Sequence, residues 1–196
     1  MEEGTELVVA QEVAQEKHAR ARVITTTSGN KISRAAFLCG PQNIRLHGQT
    51  LVKAKATIRG DRASISVGRF CVFGARSVIK PAGVVVSAAT AGAAEELAFT
   101  PLAIGDFVVV GDGSVVEARK IGSFVLIGEG VVVGQGCVVK DCCRILPGTV
   151  LPAGMVVPPF SLVGGVPAKI EKELPADTAQ IIEESCMQEF NRFVVV

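Results

Sequence analysis

The stretch "IGSFVLIGEGVVVGQGCV", residues 121–138, places an aliphatic residue followed by glycine three times at a spacing of six: Ile121-Gly122, Ile127-Gly128 and Val133-Gly134. A helix repeats about every 3.6 residues and a strand about every 2, so neither explains the spacing alone. Followed in both directions, the aliphatic series runs Ile121, Ile127, Val133, Val139, Ile145, Leu151, Val157 and Val163. Upstream it continues at Ile104, Val110 and Val116, loses one residue before Ile121, and has a further piece at Val67 and Phe73. Four residues after each aliphatic stands a side chain that is nearly always small or β-branched: Cys71, Ser77, Val108, Ser114, Val125, Val131, Cys137, Cys143, Thr149, Met155 and Ser161. Residues two apart on a strand share a face, so Cys137 and Val139 both point inward. Gly or Pro follows most of the aliphatics, as expected where a chain turns a corner at dihedrals that a Cβ disfavours.

Three such faces close one triangular coil, and stacked coils pair through parallel hydrogen bonds. The period therefore predicts a mainly β protein, a left-handed parallel β-helix of hexapeptide repeats with a C-terminal α-helix. Its body spans residues 23–167, interrupted by an Ala/Gly-rich loop insertion at about 80–102. Residues 1–22 read as a flexible arm and residues 168–196 as a tail with a helix at about 176–193. Within that tail Ala179, Ile182, Cys186, Phe190 and Phe193 form one helical stripe, with Asp177 or Thr178 as the expected cap. The outward strand positions are almost all apolar, Arg144 excepted, so the helix is expected to cover one face and leave others for partners. Two strips are candidates for that cover, one through Leu126 and Arg144 and one through Val132 and Val150.

Composition narrows the function. A net charge of +1 lacks the basic field of a nucleic-acid or membrane-surface protein. Hydrophobic content is 48% and mean hydropathy +0.42. The uncharged, Ala/Gly-rich run Pro81–Ala94 is nonetheless short of the ~20 residues of a membrane span. Glu2, Glu3 and Glu6 stand where a signal peptide carries basic residues, which predicts a soluble intracellular protein.

Two enzyme chemistries occur on this fold, a histidine-assisted acyl transfer and a three-histidine zinc hydration, and both rest on imidazole. The chain has two histidines, His18 and His47, so a three-histidine zinc site is excluded by arithmetic. An acyltransferase using acetyl-CoA would have His47 as its base and is the alternative to a non-catalytic protein. Three of the six cysteines fill the small inward slot, and no Cys-x-x-Cys occurs, which predicts reduced, structural thiols. The segment "TIRGD" resembles a corner of γ-class carbonic anhydrase-like proteins, which implies an ion pair of Arg59 and Asp61 bridging coils or subunits, with Gly60 at the corner between them.

Several blocks outside the hexad resemble the dynactin subunit 5 family: "TSGNKISR" (27–34), "LCGPQNIRLHG" (38–48), "TIRGD" (57–61), "KDCCRILPGTVLPAGMVVPPF" (140–160) and "ELP" (173–175). The resemblance covers about three quarters of the chain and departs from it in the long segment before Val23 and in the insertion. It implies a non-catalytic structural subunit of the dynactin pointed-end complex, with no cofactor, in the cytoplasm and on the microtubule cytoskeleton. The implied partners are the β-helical sister dynactin subunit 6, the pointed-end actin-related protein, subunit 4 and dynein cargo adaptors on endosomes, and homo-oligomers are compatible with it in isolation. The polar N-terminal coil supplies the candidate partner-binding residues Asn30, Lys31, Arg34, Gln42, Asn43 and Arg45, which suit acidic or backbone groups of an extended peptide. The same residues would equally suit a cap on the end of the solenoid. On the binding reading, charge reversal of Lys31 and Arg34 weakens adaptor binding without lowering thermal stability.

Overall fold

The computed structural model describes residues 23–86 and 96–193. The arm at 1–22, the middle of the insertion at 87–95 and the last three residues lie outside the described residues. Three sheets run the length of the solenoid: a first face of nine strands and second and third faces of six each. One coil takes Val108–Val110 on the first face, Val115–Val116 on the second and Lys120–Ile121 on the third. The next coil stacks on it in parallel with Val110 beside Ile127, Val116 beside Val133 and Ile121 beside Val139. Each member of the aliphatic series thus packs on another member one coil away, and the whole series is buried.

The small inward slot has a polar reason as well as a steric one. At four corners the slot side chain donates to the carbonyl that follows the aliphatic one coil on. The Cys71 thiol reaches Gly105 O at 3.2 Å, Ser114 Oγ reaches Gly128 O at 2.8 Å, and the Cys137 and Cys143 thiols reach Pro152 O and Pro158 O at 3.0 Å. A buried carbonyl without a partner costs about 1–3 kcal/mol, so Ser and Cys outcompete Ala there.

The glycines after the aliphatics do not have the strained dihedrals expected for them. Their φ angles are negative, and glycine is required because the neighbouring coil passes too close: a Cβ on Gly111 would sit 2.5 Å from the backbone of Gly128. The left-handed residue comes two positions later, at Phe124, Gly130 and Gly136 in the opening stretch. At three of the positions where it is phenylalanine, stacking offsets part of its strain. Phe70, Phe107 and Phe124 all have φ near +55° and their rings pile up at centroid spacings of 5.1 and 5.2 Å. An αL residue costs about 1–2 kcal/mol and an aromatic pair returns about 0.5–1.5 kcal/mol.

The helix α1, Thr178–Arg192, lies on the first face with Ile182 and Cys186 buried. It runs back toward the N-terminal coil, where Phe190 meets Phe70 edge-on at 6.3 Å. Lys31 Nζ donates to Phe190 O at 2.9 Å and lies 3.8 Å from the centre of its ring, while Lys53 pairs with Glu189 at 2.5 Å. Cations at a helix C-terminus are favoured by the peptide dipoles. The covered strip is therefore the one through Leu126 and Arg144, with Leu126 beneath the helix and Arg144 left exposed beyond it. The expected side-chain cap is absent: Asp177 makes no capping bond, and the Thr178 hydroxyl donates to Pro175 O at 2.6 Å instead.

Two further features differ from expectation. The insertion is not a loop at its base but an antiparallel hairpin, Ala82–Val86 with Glu96–Thr100, leaving the coil at the corner between the second and third faces. Both ends of the first face are closed by antiparallel strands, Val23–Thr25 on Lys31–Ser33 and Lys169–Glu173 on Ser161–Gly164.

Gly111→Ala is expected to destabilise by about 1–3 kcal/mol through overpacking, and more than Gly130→Ala, whose Cβ meets nothing within 4 Å and costs only its φ of +63°. Urea denaturation of the two variants ranks them. Lys31→Glu is expected to cost about 1–2 kcal/mol and to raise hydrogen exchange in α1, whereas exposed Arg34→Glu changes stability by less than about 0.5 kcal/mol.

Candidate partner-binding surfaces

The structure divides the six candidate residues into two groups. Asn30 is 3% exposed; its Oδ1 accepts from Thr50 N at 3.0 Å and its Nδ2 donates to Ser28 Oγ at 3.0 Å. It ties the first coil to the second and is closed to a partner. Asn43 Nδ2 donates to Gly60 O at 2.8 Å, pinning the corner of the coil beneath. Lys31 is held by α1, and burial beneath the helix lowers its pKa. These three belong to the scaffold, which corrects the expectation that charge reversal at Lys31 would leave stability untouched. Arg34, Gln42 and Arg45 are exposed, on the first corner, the second corner and the third face of the N-terminal coil, and Asn43 is exposed beside Gln42 despite its bond to Gly60 O.

Arg59 and Asp61 do form a bidentate pair, Nε–Oδ1 at 3.1 Å and Nη2–Oδ2 at 2.7 Å. Their hydrogen bond raises the arginine and lowers the carboxyl. The two residues flank Gly60 at one corner, so within this chain the pair spans that corner and not two coils.

The residues that would carry enzyme chemistry are placed as follows. His47 is exposed, and its Nδ1 lies 2.7 Å from Val67 O, so the ring is oriented by the next coil with Nε2 toward solvent. Among the described residues no three His, Cys, Asp or Glu side chains converge as a metal site. Cys39 is exposed and the other five thiols are buried, Cys71 and Cys186 being pushed up to about 12 by burial. Asp106, Asp112 and Asp141 each accept a backbone N–H from a preceding coil, at 2.7, 2.8 and 2.8 Å. A cleft of about 230 Å³ runs under α1, floored by Val72, Val109 and Leu126 and rimmed by Lys53, Asp112 and Glu189.

The three faces differ in what they show outward. The first is covered by α1. The third mixes Arg45, Ser66, Ala103, Lys120, Val138 and Val156 in one registered row. The second carries Phe37, Thr57, Val78, Val115, Val132 and Val150 in register, with no described element over it. Sequence reasoning named Val132 and Val150 but missed that the row extends to Phe37; that signal lay in the coil register, which skips the insertion.

The solved structures similar to this chain include a hexapeptide transferase family protein from Anaplasma phagocytophilum, with TM-score 0.55 and 19% identity over 89% of this chain and 97% of that one. A UDP-N-acetylglucosamine O-acyltransferase from Moraxella catarrhalis gives TM-score 0.55 and 17% identity over 84% of this chain and 70% of that one. At such identities the likeness concerns the left-handed hexapeptide β-helix alone. A curated relative, Dynactin subunit 5 of Dictyostelium discoideum, is 39% identical over 104 residues, 53% of this chain and 49% of that protein, so the chain spans about half the length of that relative. The family model described as Dynactin subunit 5 matches residues 11–196, a span that takes in the irregular corners as well as the hexads, and the chain belongs to the Dynactin subunit 5 family.

Proposed function

We propose that this chain is a non-catalytic structural subunit of dynactin that works by protein–protein contact. The observation that carries the reading is the family match across residues 11–196. The chemistry of the chain agrees with it: the buried thiols are held protonated, and the carboxylates at the coil corners are engaged as backbone acceptors. In this reading the subunit sits in the cytoplasm at the pointed end of dynactin, on the microtubule cytoskeleton. It pairs there with the sister solenoid subunit 6 beside the actin-related protein and subunit 4, and supports attachment of endosomal cargo through dynein adaptors. Arg34, Gln42 and Arg45 are the N-terminal residues that stay available to such a partner, and no cofactor takes part. Among the described residues no helix is long and apolar enough to cross a membrane.

Affinity purification of the tagged full-length chain from its native cell is expected to recover dynactin subunits in stoichiometric amounts. Recovery of the chain alone, or micromolar binding of acetyl-CoA in isothermal titration, would favour the acyltransferase reading. Because the thiolate is the nucleophile and burial raises the thiol pKa, iodoacetamide at neutral pH is expected to label Cys39 and spare the other five cysteines until the chain unfolds. Mass spectrometry of the alkylated native protein checks this.

A further inference from the structure

The outward row on the second face is apolar at every registered position except Thr57. The third face has the same backbone and the same coil spacing, yet Arg45, Ser66 and Lys120 interrupt its outward row, which otherwise carries Ala103, Val138 and Val156. The second-face row spans five coil steps, about 24 Å at the usual strand spacing. Phe37 at 59% and Val132 at 39% exposure are its most open members. Beside it, on the corner shared with the first face, Arg34, Lys55 and Arg76 stand on three successive coils, all exposed. None of the three makes an ion pair with another described residue, whereas Arg59 and Lys80 on the opposite side of the row are paired with Asp61 and Glu117. Exposed Arg62 and Arg119 on that opposite corner also make no ion pair with a described residue, so what sets the first-face corner apart is three cations on three successive coils, with Asp112 and Glu129 at the same corner of the two coils beyond.

The molecule itself shows what such a row accepts. On the first face an equivalent row, Leu51, Val72, Val109 and Leu126, is covered by α1, and a glutamate on the flank of that helix pairs with a corner lysine. The match is geometric: a helix advances about 5.4 Å per turn and coils advance about 4.8 Å, so each turn meets one coil. Acidic residues at i, i+4 and i+7 of a helix on the second face would meet Arg76, Lys55 and Arg34 in turn.

We propose that the second face is a docking site for an amphipathic helix of a partner protein. That helix has about 16 residues, an apolar stripe over Val78, Val115 and Val132, and an acidic flank on the Arg34–Lys55–Arg76 column. The proposal deepens the reading of the chain as a dynactin subunit.

A photo-cross-linking amino acid at Val132 of the full-length chain, irradiated in the native assembly and mapped by mass spectrometry, tests it. The expected product joins Val132 to a helical partner segment with acidic residues at that spacing. The combined change Arg34→Glu, Lys55→Glu and Arg76→Glu is expected to lower its yield at least tenfold, with the thermal midpoint within a few degrees of wild type. Should the triple variant not fold, Arg76→Glu alone is scored for a severalfold loss. A cross-link to a second copy, to residues 1–22 of the same chain or to a segment without an acidic flank overturns the proposal, as does no cross-link or an unchanged yield. Dynactin subunits are scored in the same sample, so loss of assembly and loss of the helix contact are read separately.

Discussion

The separation between coils governs this molecule. Parallel backbone hydrogen bonds hold neighbouring strands about 4.8 Å apart, and at the corners the two chains approach as closely as they do along the faces. A corner residue with a side chain pointing along the solenoid axis would meet the next coil's backbone, as the 2.5 Å approach at Gly111 shows. Glycine after the aliphatic, a left-handed residue two positions on and a small donor in the inward slot all follow from that one distance. The insertion is tolerated because it leaves from a corner, where the chain already points outward, and the hairpin returns it to Leu102 on the next strand of the third face.

The same distance organises the outside. Identical steps on three faces give three rows of outward side chains, and the rows differ only in what the sequence writes on them. One row is largely apolar and covered over part of its length by the chain's own helix, one mixes polar and apolar side chains, and one is apolar but for Thr57 and bare among the described residues. The docking of α1 depends on long-range partners: Lys31 and Lys53 come from the first two coils and meet Phe190 and Glu189 across most of the sequence. The helix thereby clasps the N-terminal coil to the centre of the solenoid, where partly buried Ile32, Ala36 and Leu38 pack on the core without another described coil above them.

The hexad made the solenoid legible because burial at Ile121, Ile127 and Val133 is a local, periodic demand. The stripe of α1 was legible for the same reason. The role of glycine was misread because sequence shows a preference for glycine without showing whether backbone dihedral or a neighbouring coil imposes it. The phenylalanine column had a signal, Phe107 and Phe124 at the same hexad position one coil apart, but its meaning depends on stacking between coils. Lys31 looked like a free surface cation because its partner is 159 residues away, and Asn30 because its acceptor role needs the second coil in place. The hairpin escaped because Ala/Gly-rich segments carry weak strand preference and its pairing is with itself.

Enzymes built on this backbone place their chemistry on side chains projecting from the coils, so sharing the fold does not carry the activity with it. In this chain several of the groups that could react hold coils together instead. Asp106 and Asp141 accept backbone N–H groups, Cys137 and Cys143 donate to corner carbonyls, and the His47 ring is tied to Val67 O. Such a molecule is stiff along its axis, because every coil is bonded to the next at faces, corners and core. A stiff rod with three unlike outer strips presents fixed rows of side chains at a fixed pitch, and a partner that matches the pitch has little conformational entropy to lose on the rod's side. Specificity then resides in which residues fill each row and the corners beside it.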